Sequence, residues 1–375
     1  MSDTIKPIVD DIQEPPPGTT ESCGTSCWKC NGTGNLTIKK QKRVCNVCNG
    51  NKIIISEVRR KLYHQPGKIM EERRWPKDYI IPGPTCCGFQ ENPELQPKEG
   101  ESLCSLAGYW KIFQRQGGHR FSTDDIVTAW CASQYILSSG LDKIDGIPYL
   151  DIGCGLGSVL LFISWKFSSF QSVGIEAQKI SYSLAKRSIL YNIGNSDRIK
   201  VYNGDLRDFN ILSNDKKFKI ITGTPPYFKN GEAALPSKVD QKACLFEFRG
   251  GVEEYCRAAG HYLTEDGHFF VVESYLCKER IDEGAKLYDL EIVERWDIIP
   301  KEGKPALICV AHLKRKSNTV SKYYPLHIII IRNKENQHTH QYNQILIDMG
   351  FPPQRNVGDV EDAIIESEEN DQKKE

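Results

Sequence analysis

The sequence of 375 residues predicts an α/β fold built around a mostly parallel β-sheet. From about Leu103, short apolar segments alternate with longer segments of helical periodicity. One apolar segment runs directly into a glycine-rich turn and then into a helical pattern, as in sheets that bind nucleotides. Near the end, two strand candidates are joined by a short Lys-Glu-Gly-Lys-Pro stretch, which suits an antiparallel hairpin at the sheet edge.

Eight segments have the composition of strands. They are residues 148–153, 172–176, 199–204, 218–223, 267–273, 290–299, 306–313 and 326–332. Helical patterns fill residues 124–138, 156–168, 178–193, 250–263 and 339–349. The regular alternation of the two kinds of segment indicates crossover connections and parallel pairing.

Composition divides the chain into five parts. We expect a disordered tail (1–22), a cysteine-rich module (23–52), a basic and Pro-rich linker (53–102), the α/β domain (103–353) and an acidic disordered tail (354–375). The net charge of zero hides an asymmetry. Residues 27–77 contain 13 Lys or Arg against 3 Asp or Glu, whereas residues 359–375 contain 8 acids against 2 Lys.

No run of 18 apolar residues is present, and the polar, Pro-rich N-terminus lacks the apolar core of a signal peptide. We therefore expect a cytoplasmic or nuclear protein with no membrane partner. In a reducing compartment we expect the 14 Cys to be metal ligands or buried thiols rather than disulfides.

The strongest local signal is the segment from Tyr149 to Gly157, in which a strand leads into three alternate glycines. Gly153, Gly155 and Gly157 allow a sharp turn and let a ligand approach the backbone where a Cβ would collide. Asp151, at the end of the strand, is placed to hold the amino-acid portion of a cofactor. Gly-x-Gly alone is weak evidence, because dinucleotide-binding proteins share it.

Two acids follow at the ends of the next strands. Glu176 comes about 20 residues after the glycines, where an acid can chelate ribose hydroxyls. Asp205 ends the third strand candidate, where it can bond an adenine amino group. Two alternatives stay open: both could be surface turn acids, or the site could bind NAD, although no second mononucleotide half follows.

The fourth strand candidate ends in Thr224-Pro225-Pro226-Tyr227. Two prolines fix an extended loop at the carboxyl edge of the sheet, where ligands bind in this fold class. The aromatic side chain can stack on a planar substrate. The alternative is that these residues form only a turn.

Near the N-terminus, Cys27 and Cys30 form one Cys-x-x-Cys pair and Cys45 and Cys48 form a second, with 14 residues between the two pairs. Four thiolates at this spacing predict a tetrahedral Zn²⁺ site. With four Cys ligands the zinc would be structural, since no position stays open for catalysis.

Together, the glycine turn, the two acids and the Thr-Pro-Pro-Tyr loop resemble the class I S-adenosylmethionine-dependent methyltransferases. The segment from His119 to Asp124, the Gly303-Lys-Pro stretch and the closing helix resemble the bacterial tRNA(Val) adenine-N6 methyltransferase-like family. This resemblance covers about residues 103–352. It implies a Rossmann-like seven-stranded sheet, S-adenosylmethionine as cofactor, and Thr123 and Asp124 folded over the methionine end of that cofactor.

The same resemblance implies that the first residue of the loop and the proline-side carbonyl orient the amino group to be methylated. Here that residue is Thr224, where the family has Asn, Asp or Ser. A hydroxyl offers one hydrogen-bonding group where Asn offers two. The altered residue therefore bears on the acceptor and not on the cofactor.

The cysteine module resembles half of the DnaJ-type cysteine-rich domain, with its Cys-x-x-Cys-x-Gly-x-Gly repeats. Basic and aromatic residues within the module and in the linker after it suit a polyanion such as RNA, although a solvated basic face is the alternative. These residues are Lys39, Lys40, Lys42, Arg43, Arg59, Arg60, Lys61, Arg73 and Arg74, with Trp28, Tyr63 and Trp75 among them.

The favoured hypothesis is therefore methyl transfer to an exocyclic amino nitrogen of a nucleobase, adenine N6 first, in RNA such as tRNA. The rival hypothesis is an amide or amine methyltransferase that acts on a protein or a small molecule, with the zinc module as a contact for a protein partner. The altered loop residue, Thr224, motivates the rival.

Overall fold

The computed structural model describes residues 73, 75–89, 91–213, 215–227, 247–316 and 324–353, together with four short strands nearer the N-terminus. The chain divides into two compact units, Met1–Gln65 and Pro66–Glu375. The expected tails, 1–22 and 354–375, lie outside the described residues. Within the described residues, no helix is long and apolar enough to cross a membrane.

In the smaller unit the described strands form two antiparallel pairs. Asn35–Ile38 pairs with Gln41–Val44, and Thr25–Ser26 pairs with Ile53–Ile54. The first pair is a local hairpin, whereas the second brings together the two ends of the cysteine-rich segment. The four expected zinc ligands, Cys27, Cys30, Cys45 and Cys48, lie outside the described residues.

The larger unit begins earlier than residue 103, where the sequence predicts the α/β domain to start. Leu95 is fully buried in its core, and the N–H groups of Cys87 and Gly88 donate to carbonyls of Asn192 and Tyr191. Part of the expected linker is therefore a packed layer of the domain. The Pro and Gly content of this segment predicts a linker, but its apolar residues cover a helix and the hairpin that follows.

That hairpin consists of β1 (Glu101–Ala107) and β2 (Trp110–Arg115) and is followed by helix α1 (Thr123–Ser138). The main sheet then contains eight strands. They are β3 (Pro148–Ile152), β4 (Gln171–Glu176), β5 (Ile199–Asn203), β6 (Phe218–Gly223), β7 (Leu263–Ser274), β8 (Leu290–Ile299), β9 (Ile308–Arg315) and β10 (Leu326–Ile330).

The strand order across the sheet is β5-β4-β3-β6-β7-β9-β8-β10. Strands β3 to β7 are all parallel, and the order reverses direction between β3 and β6. This reversal is the switch point at which ligands bind in doubly wound sheets. Strand β9 is antiparallel to both β7 and β8.

The sheet differs from the prediction in one respect. The resemblance implies seven strands with the β8–β9 hairpin at the edge, but β10 pairs in parallel with β8 and adds an eighth strand. The predicted antiparallel pairing of β8 with β9 is confirmed. The outer position of β10 is a tertiary outcome, because its apolar sequence is equally compatible with a central or an edge strand.

Among the described residues, five further helices cover the two faces of the sheet. They are α2 (Ser158–Lys166), α3 (Lys179–Ile193), α4 (Val252–Tyr262), α5 (Glu279–Leu287) and α6 (His340–Asp348). Neighbouring strand residues alternate between the two cores: Phe270 packs with α1 and α2, whereas Phe269 packs with α4 and α5. In the described part of the chain, a cavity lies at the carboxyl edge of the parallel strands.

Candidate active site

One cavity at the carboxyl edge of the parallel strands collects most of the side chains that the sequence predicts to be functional. The predicted residues that line it are Asp124, Gly153, Gly155, Glu176, Asp205, Thr224, Pro225, Pro226 and Tyr227. They come from α1 and from the ends of β3, β4, β5 and β6, which are far apart in sequence. Thr123, Asp151 and Gly157 lie outside the lining.

The glycine turn, residues 153–157, forms the floor of the cavity. Gly153, Gly155 and Gly157 have φ angles of 61°, 55° and 80°, in the left-handed region that favours glycine. A Cβ on Gly153 would lie 2.1 Å from the hydroxyl oxygen of Tyr255, whereas a Cβ on Gly155 would meet no atom within 4 Å. Gly153 is thus required by packing, and Gly155 leaves room for a ligand.

Glu176, the last residue of β4, is hydrogen-bonded to this turn. Its Oε2 accepts the N–H of Gly155 at 2.9 Å, and its Oε1 accepts the N–H of Gln178 at 2.6 Å. Burial raises the pKa of Glu176, and these two hydrogen bonds oppose the increase. Each oxygen has a second lone pair, so the carboxylate can also accept hydrogen bonds from ligand hydroxyls.

Asp205 lies at the neighbouring strand end with two arginines beside it. Arg207 donates to both carboxylate oxygens at 2.7 and 2.8 Å, and the Nε of Arg249 is 4.0 Å from Oδ2. Partial burial acts in the opposite direction, but the bonds from Arg207 hold the pKa of Asp205 below its ordinary value. Asp205 is therefore an ionised acceptor at this end of the cavity.

We call residues 119–125 the cofactor segment, after the role that the resemblance implies for residues 119–124. This segment leads into α1, and its His119, Asp124 and Asp125 line the cavity. Asp125 on it is buried: its Oδ2 accepts the N–H of Ser122 at 2.8 Å, and its Oδ1 accepts the hydroxyl of Ser158 at 2.7 Å. Ser158 is the first residue of α2, directly after the glycine turn. Asp125 thus joins the cofactor segment to the glycine turn.

We call Thr224 to Tyr227 the acceptor loop, after the role that the resemblance implies for it. The loop directly follows β6 and lines the cavity. Pro225 is buried and Thr224 is half-buried. The hydroxyl of Tyr227 donates to Oδ2 of Asp124 at 2.9 Å. Burial, with the nearby Asp124 carboxylate, raises the pKa of Tyr227, so the phenol stays protonated. The loop and the cofactor segment are therefore linked directly.

The sequence predicts that Asp151 holds the amino-acid portion of the cofactor, but in the structure it lies beneath the turn and outside the cavity lining. It is 1% exposed; its Oδ1 accepts the Thr222 hydroxyl at 2.7 Å and its Oδ2 accepts the Leu160 N–H at 3.0 Å. Because the Thr222 hydrogen goes to Asp151, the Tyr149 hydroxyl donates to Thr222, also at 2.7 Å. Burial raises the pKa of Asp151 to about 7. In this geometry Asp151 supports the turn by joining β3 to β6 and α2.

The two other predicted residues outside the lining have local roles. Gly157 is the N-cap of α2, and a Cβ there would lie 3.3 Å from the Cβ of Ala185. The hydroxyl of Thr123, the first residue of α1, is 3.5 Å from that of Tyr342 on α6. Both residues position the elements around the cavity.

Sequence reasoning missed Asp125, Ser158 and Tyr255, which all line the cavity. A signal for Asp125 was available, because Ser122-x-x-Asp125 is the spacing of a helix capping box. Tyr255 carries no such signal. Its ring fills the space beside Gly153 and Gly223, and only the packing of α4 on the sheet shows this.

Among the residues that the structure describes, no group of three or more His, Cys, Asp or Glu side chains could hold a metal ion. Cys86, Cys87 and Cys104 form no disulfide among the described residues.

No protein-family model matches the chain. Among curated proteins it is similar to the tRNA1(Val) (adenine(37)-N6)-methyltransferase of Glaesserella parasuis, with 24% identity over 212 residues that cover 56% of this chain and 84% of the relative. The enzyme of the same name from Porphyromonas gingivalis is 31% identical over 116 residues, which cover 30% of this chain and 42% of the relative.

Among solved structures, a predicted O-methyltransferase from Agrobacterium tumefaciens aligns with a TM-score of 0.45 and 15% identity over 63% of this chain and all of that one. The fold itself is decided by the strand order, with the switch point between β3 and β6 and the antiparallel β9 inserted between β7 and β8. It is the class I methyltransferase fold. An extra strand, β10, extends it at one edge.

Proposed function

We propose that this chain is an S-adenosylmethionine-dependent N-methyltransferase that methylates an exocyclic amino nitrogen of a nucleobase in RNA, with adenine N6 as the acceptor. The observation that carries the proposal is the single cavity shared by the glycine turn, the strand-end acids and the acceptor loop. The names of the tRNA adenine-N6 methyltransferases to which the chain is similar support the same acceptor.

The cavity fits the cofactor at three points. The open space above Gly155 accommodates a ligand close to the backbone. Glu176 and Asp205 are the partners for ribose hydroxyls and for the adenine, and Asp124 with the cofactor segment is the partner for the methionine end. When bound, S-adenosylmethionine supplies an electrophilic methyl group on its sulfonium.

The acceptor loop orients the nucleophile. The Thr224 hydroxyl can accept a hydrogen bond from an amino group, and the carbonyls of the rigid loop can accept another. Tyr227 is the platform on which the base stacks, and its bond to Asp124 orients the ring. Holding an amine in line with a methyl group lowers the barrier chiefly by positioning. The base must leave its helix or be unpaired to reach the loop.

We also propose that residues 23–52 bind one structural Zn²⁺ through Cys27, Cys30, Cys45 and Cys48. Two described strand pairings support this. Ser26, which precedes Cys27, is opposite Ile53, and Val44, which precedes Cys45, is opposite Asn35. The hairpin lies between the two Cys-x-x-Cys pairs and reverses the direction of the chain there. Four thiolates are a suitable ligand set for zinc. The basic residues of this module are the proposed contact to the RNA backbone.

The zinc proposal is tested by metal analysis of the purified chain and of a Cys27→Ser/Cys48→Ser variant. We expect about one Zn²⁺ per chain and loss of it in the variant, since four thiolates form a complete structural site. Chelation should expose residues 23–52 to protease and leave the larger unit intact. A metal-free chain whose N-terminal unit resists protease would refute the site.

The function is tested by incubating the protein with methyl-labelled S-adenosylmethionine and separate RNA, DNA and protein fractions from one extract. Label in the RNA fraction is expected. Label confined to protein would overturn the RNA proposal and favour the rival amide or amine methyltransferase. A variant lacking residues 1–65 is the companion test: its KM for RNA should rise and become less salt-dependent, since phosphate contacts are lost.

A further inference from the structure

Asp125 is, with Glu176, one of the two buried carboxylates of the cavity lining, and neither the glycine motif nor the acceptor loop accounts for it. It is 5% exposed, and its two oxygens accept one backbone N–H and one serine hydroxyl. Two neutral donors are a small compensation for removing a carboxylate from water. A buried charge of this kind is stabilised by a cation nearby.

The charged groups that act most strongly on Asp125 are other carboxylates. Asp124 lies on the same helix and Asp151 on β3, and both, after the larger effect of burial, raise the pKa of Asp125, which reaches about 8. From the acceptor loop, Tyr227 faces the same region and is neutral. His119, which also lines the cavity, has a pKa lowered by burial. Arg249 lies beside Asp205, at the end of the cavity assigned to the adenosine.

We propose that Asp125 is a counter-ion for the cationic methionine end of the cofactor, and that it makes the site prefer the sulfonium donor over its thioether product. The inference rests on the proposed function. S-adenosylmethionine carries an ammonium and a sulfonium, whereas S-adenosylhomocysteine carries only the ammonium. A fixed negative charge at the end of the cavity bordered by the cofactor segment therefore distinguishes the two ligands, and product release becomes easier after the methyl group has left.

The same placement makes the preference pH-dependent. Because burial and the neighbouring carboxylates raise the pKa of Asp125, its side chain is largely protonated below about pH 8 when no ligand is bound. A bound cation favours the ionised form, so the affinity for the cationic donor should rise with pH up to about pH 8 and then level off. Each unit by which the cation lowers the pKa corresponds to about a tenfold gain in affinity.

The test is calorimetric binding of S-adenosylmethionine and S-adenosylhomocysteine, measured from pH 6 to pH 9. The ratio of the two Kd values is the informative quantity, because titration of the amino group that both ligands carry cancels in it. In the wild type we expect the ratio to favour the donor by about tenfold more at pH 8.5 than at pH 6. Asp125→Asn should abolish this increase and lower the ratio at pH 8.5 to near its pH 6 value.

Asp348→Asn is the matched control, since Asp348 lies on α6 and accepts the indole N–H of Trp130 outside the cavity. It should keep the wild-type ratio at every pH. An Asp125→Asn variant with the wild-type ratio and pH dependence would overturn the inference while the proposed function stands. A wild type that binds neither ligand would instead overturn the proposed function itself.

If Asp125→Asn does not fold, Ser158→Ala provides the second variant. The hydrogen bond from Ser158 favours the ionised form of Asp125, so its loss should move the midpoint of the pH-dependent ratio to higher pH. An unchanged midpoint in a folded Ser158→Ala protein would also overturn the inference. Circular dichroism of each variant reports whether the fold persists.

Discussion

Tyr227 shows how one residue can have a role that its position in a motif does not reveal. The loop sequence predicts an aromatic platform for the acceptor, and the structure adds a hydrogen bond from its hydroxyl to Asp124 in the cofactor segment. Asp124 is also the acceptor of the Ser122 hydroxyl. The residue proposed to stack on the base is thus connected to the residue proposed to hold the cofactor.

Two substitutions separate these roles. Tyr227→Phe keeps the ring and removes the bond to Asp124, so kcat should fall several-fold with little change in the KM for RNA. Tyr227→Ala also removes the ring and should raise that KM by about tenfold or more, since stacking on a base contributes about 1–3 kcal/mol. Steady-state kinetics on an RNA substrate measure both.

Tyr262→Phe is the control, because the Tyr262 hydroxyl is buried in the α4 core and has no hydrogen-bond partner among the described residues. It should retain wild-type kinetics. Equal effects of Tyr227→Phe and Tyr227→Ala on KM would contradict a stacking role for the ring.

Asp151 illustrates what the sequence does not determine at the residue scale. Its position at the end of the first parallel strand is predictable, because the apolar strand and the glycines define it. Whether its side chain faces the cavity or the interior depends on Thr222 and on α2, which are distant in sequence. Glu176 and Asp205 were predictable as cavity residues because successive strand ends meet at one edge of a parallel sheet.

At the scale of elements, the glycine turn is one motif with different requirements at each position. Gly153 faces the hydroxyl of Tyr255, whereas the space at Gly155 is open. Both have positive φ, so any other residue is strained at either position. The motif predicts three glycines, but only the packing distinguishes the glycine needed for folding from the glycine needed for the ligand.

Alanine at each position should separate these effects. Gly153→Ala should lower the free energy of unfolding by at least about 2 kcal/mol, since strain of about 1–2 kcal/mol adds to the collision with Tyr255. Gly155→Ala should be destabilised only by the backbone strain, because its Cβ meets no atom. It should, however, weaken binding of S-adenosylmethionine at least tenfold. Urea unfolding and calorimetry provide the two measurements.

Gly140 offers a matched control for strain alone. It has a φ of 74° and open space around its Cβ position, and it lies outside the cavity lining. Gly140→Ala should therefore match Gly155→Ala in stability and retain wild-type cofactor affinity. If Gly155→Ala also retained that affinity, the ligand would not approach the turn as proposed.

The strands were predictable because apolar and β-branched segments bounded by turns are recognisable along the chain. Their arrangement was predictable only in part. The parallel core follows from the alternation of helices and strands, but the outer position of β10 follows from its pairing with β8 across a long separation. For the same reason, the segment around Leu95 has the composition of a linker and the burial of a core layer.

At the scale of the whole molecule, buried carboxyl groups govern how stability depends on pH. Burial raises the pKa of Asp125 and Glu273 to about 8 and that of Asp151 to about 7. In the unfolded chain these groups lose their protons near pH 4. The folded chain therefore binds more protons between pH 4 and pH 8, and stability contributed by these groups is lost as the pH rises through their folded pKa values.

Histidine acts in the opposite direction at lower pH. Burial lowers the pKa of His268 to about 3, so protonation favours the unfolded chain only below the ordinary histidine pKa of about 6.5. Between pH 6.5 and pH 8.5 the carboxyl groups dominate. The cofactor-free protein should therefore melt several degrees lower at pH 8.5 than at pH 6.5, by about 2–4 °C for each kcal/mol lost.

Scanning calorimetry across this range measures the effect. Glu273→Gln should reduce the slope, since Glu273 is fully buried with one oxygen that lacks a hydrogen-bond partner among the described residues. A melting temperature that is constant or rises from pH 6.5 to pH 8.5 would show that these carboxyl groups are already ionised in the folded protein.

The central claim is that the acceptor loop presents an exocyclic amine to the cofactor. It is tested most directly by methylating RNA with isotope-labelled S-adenosylmethionine, digesting the RNA to nucleosides and identifying the labelled nucleoside by mass spectrometry. We expect the label in N6-methyladenosine. With Thr224→Ala the yield should be at least about tenfold lower at unchanged cofactor affinity, because the lost hydrogen bond orients the acceptor. Label on a ring nitrogen or on ribose, or undiminished transfer by Thr224→Ala, would contradict the claim.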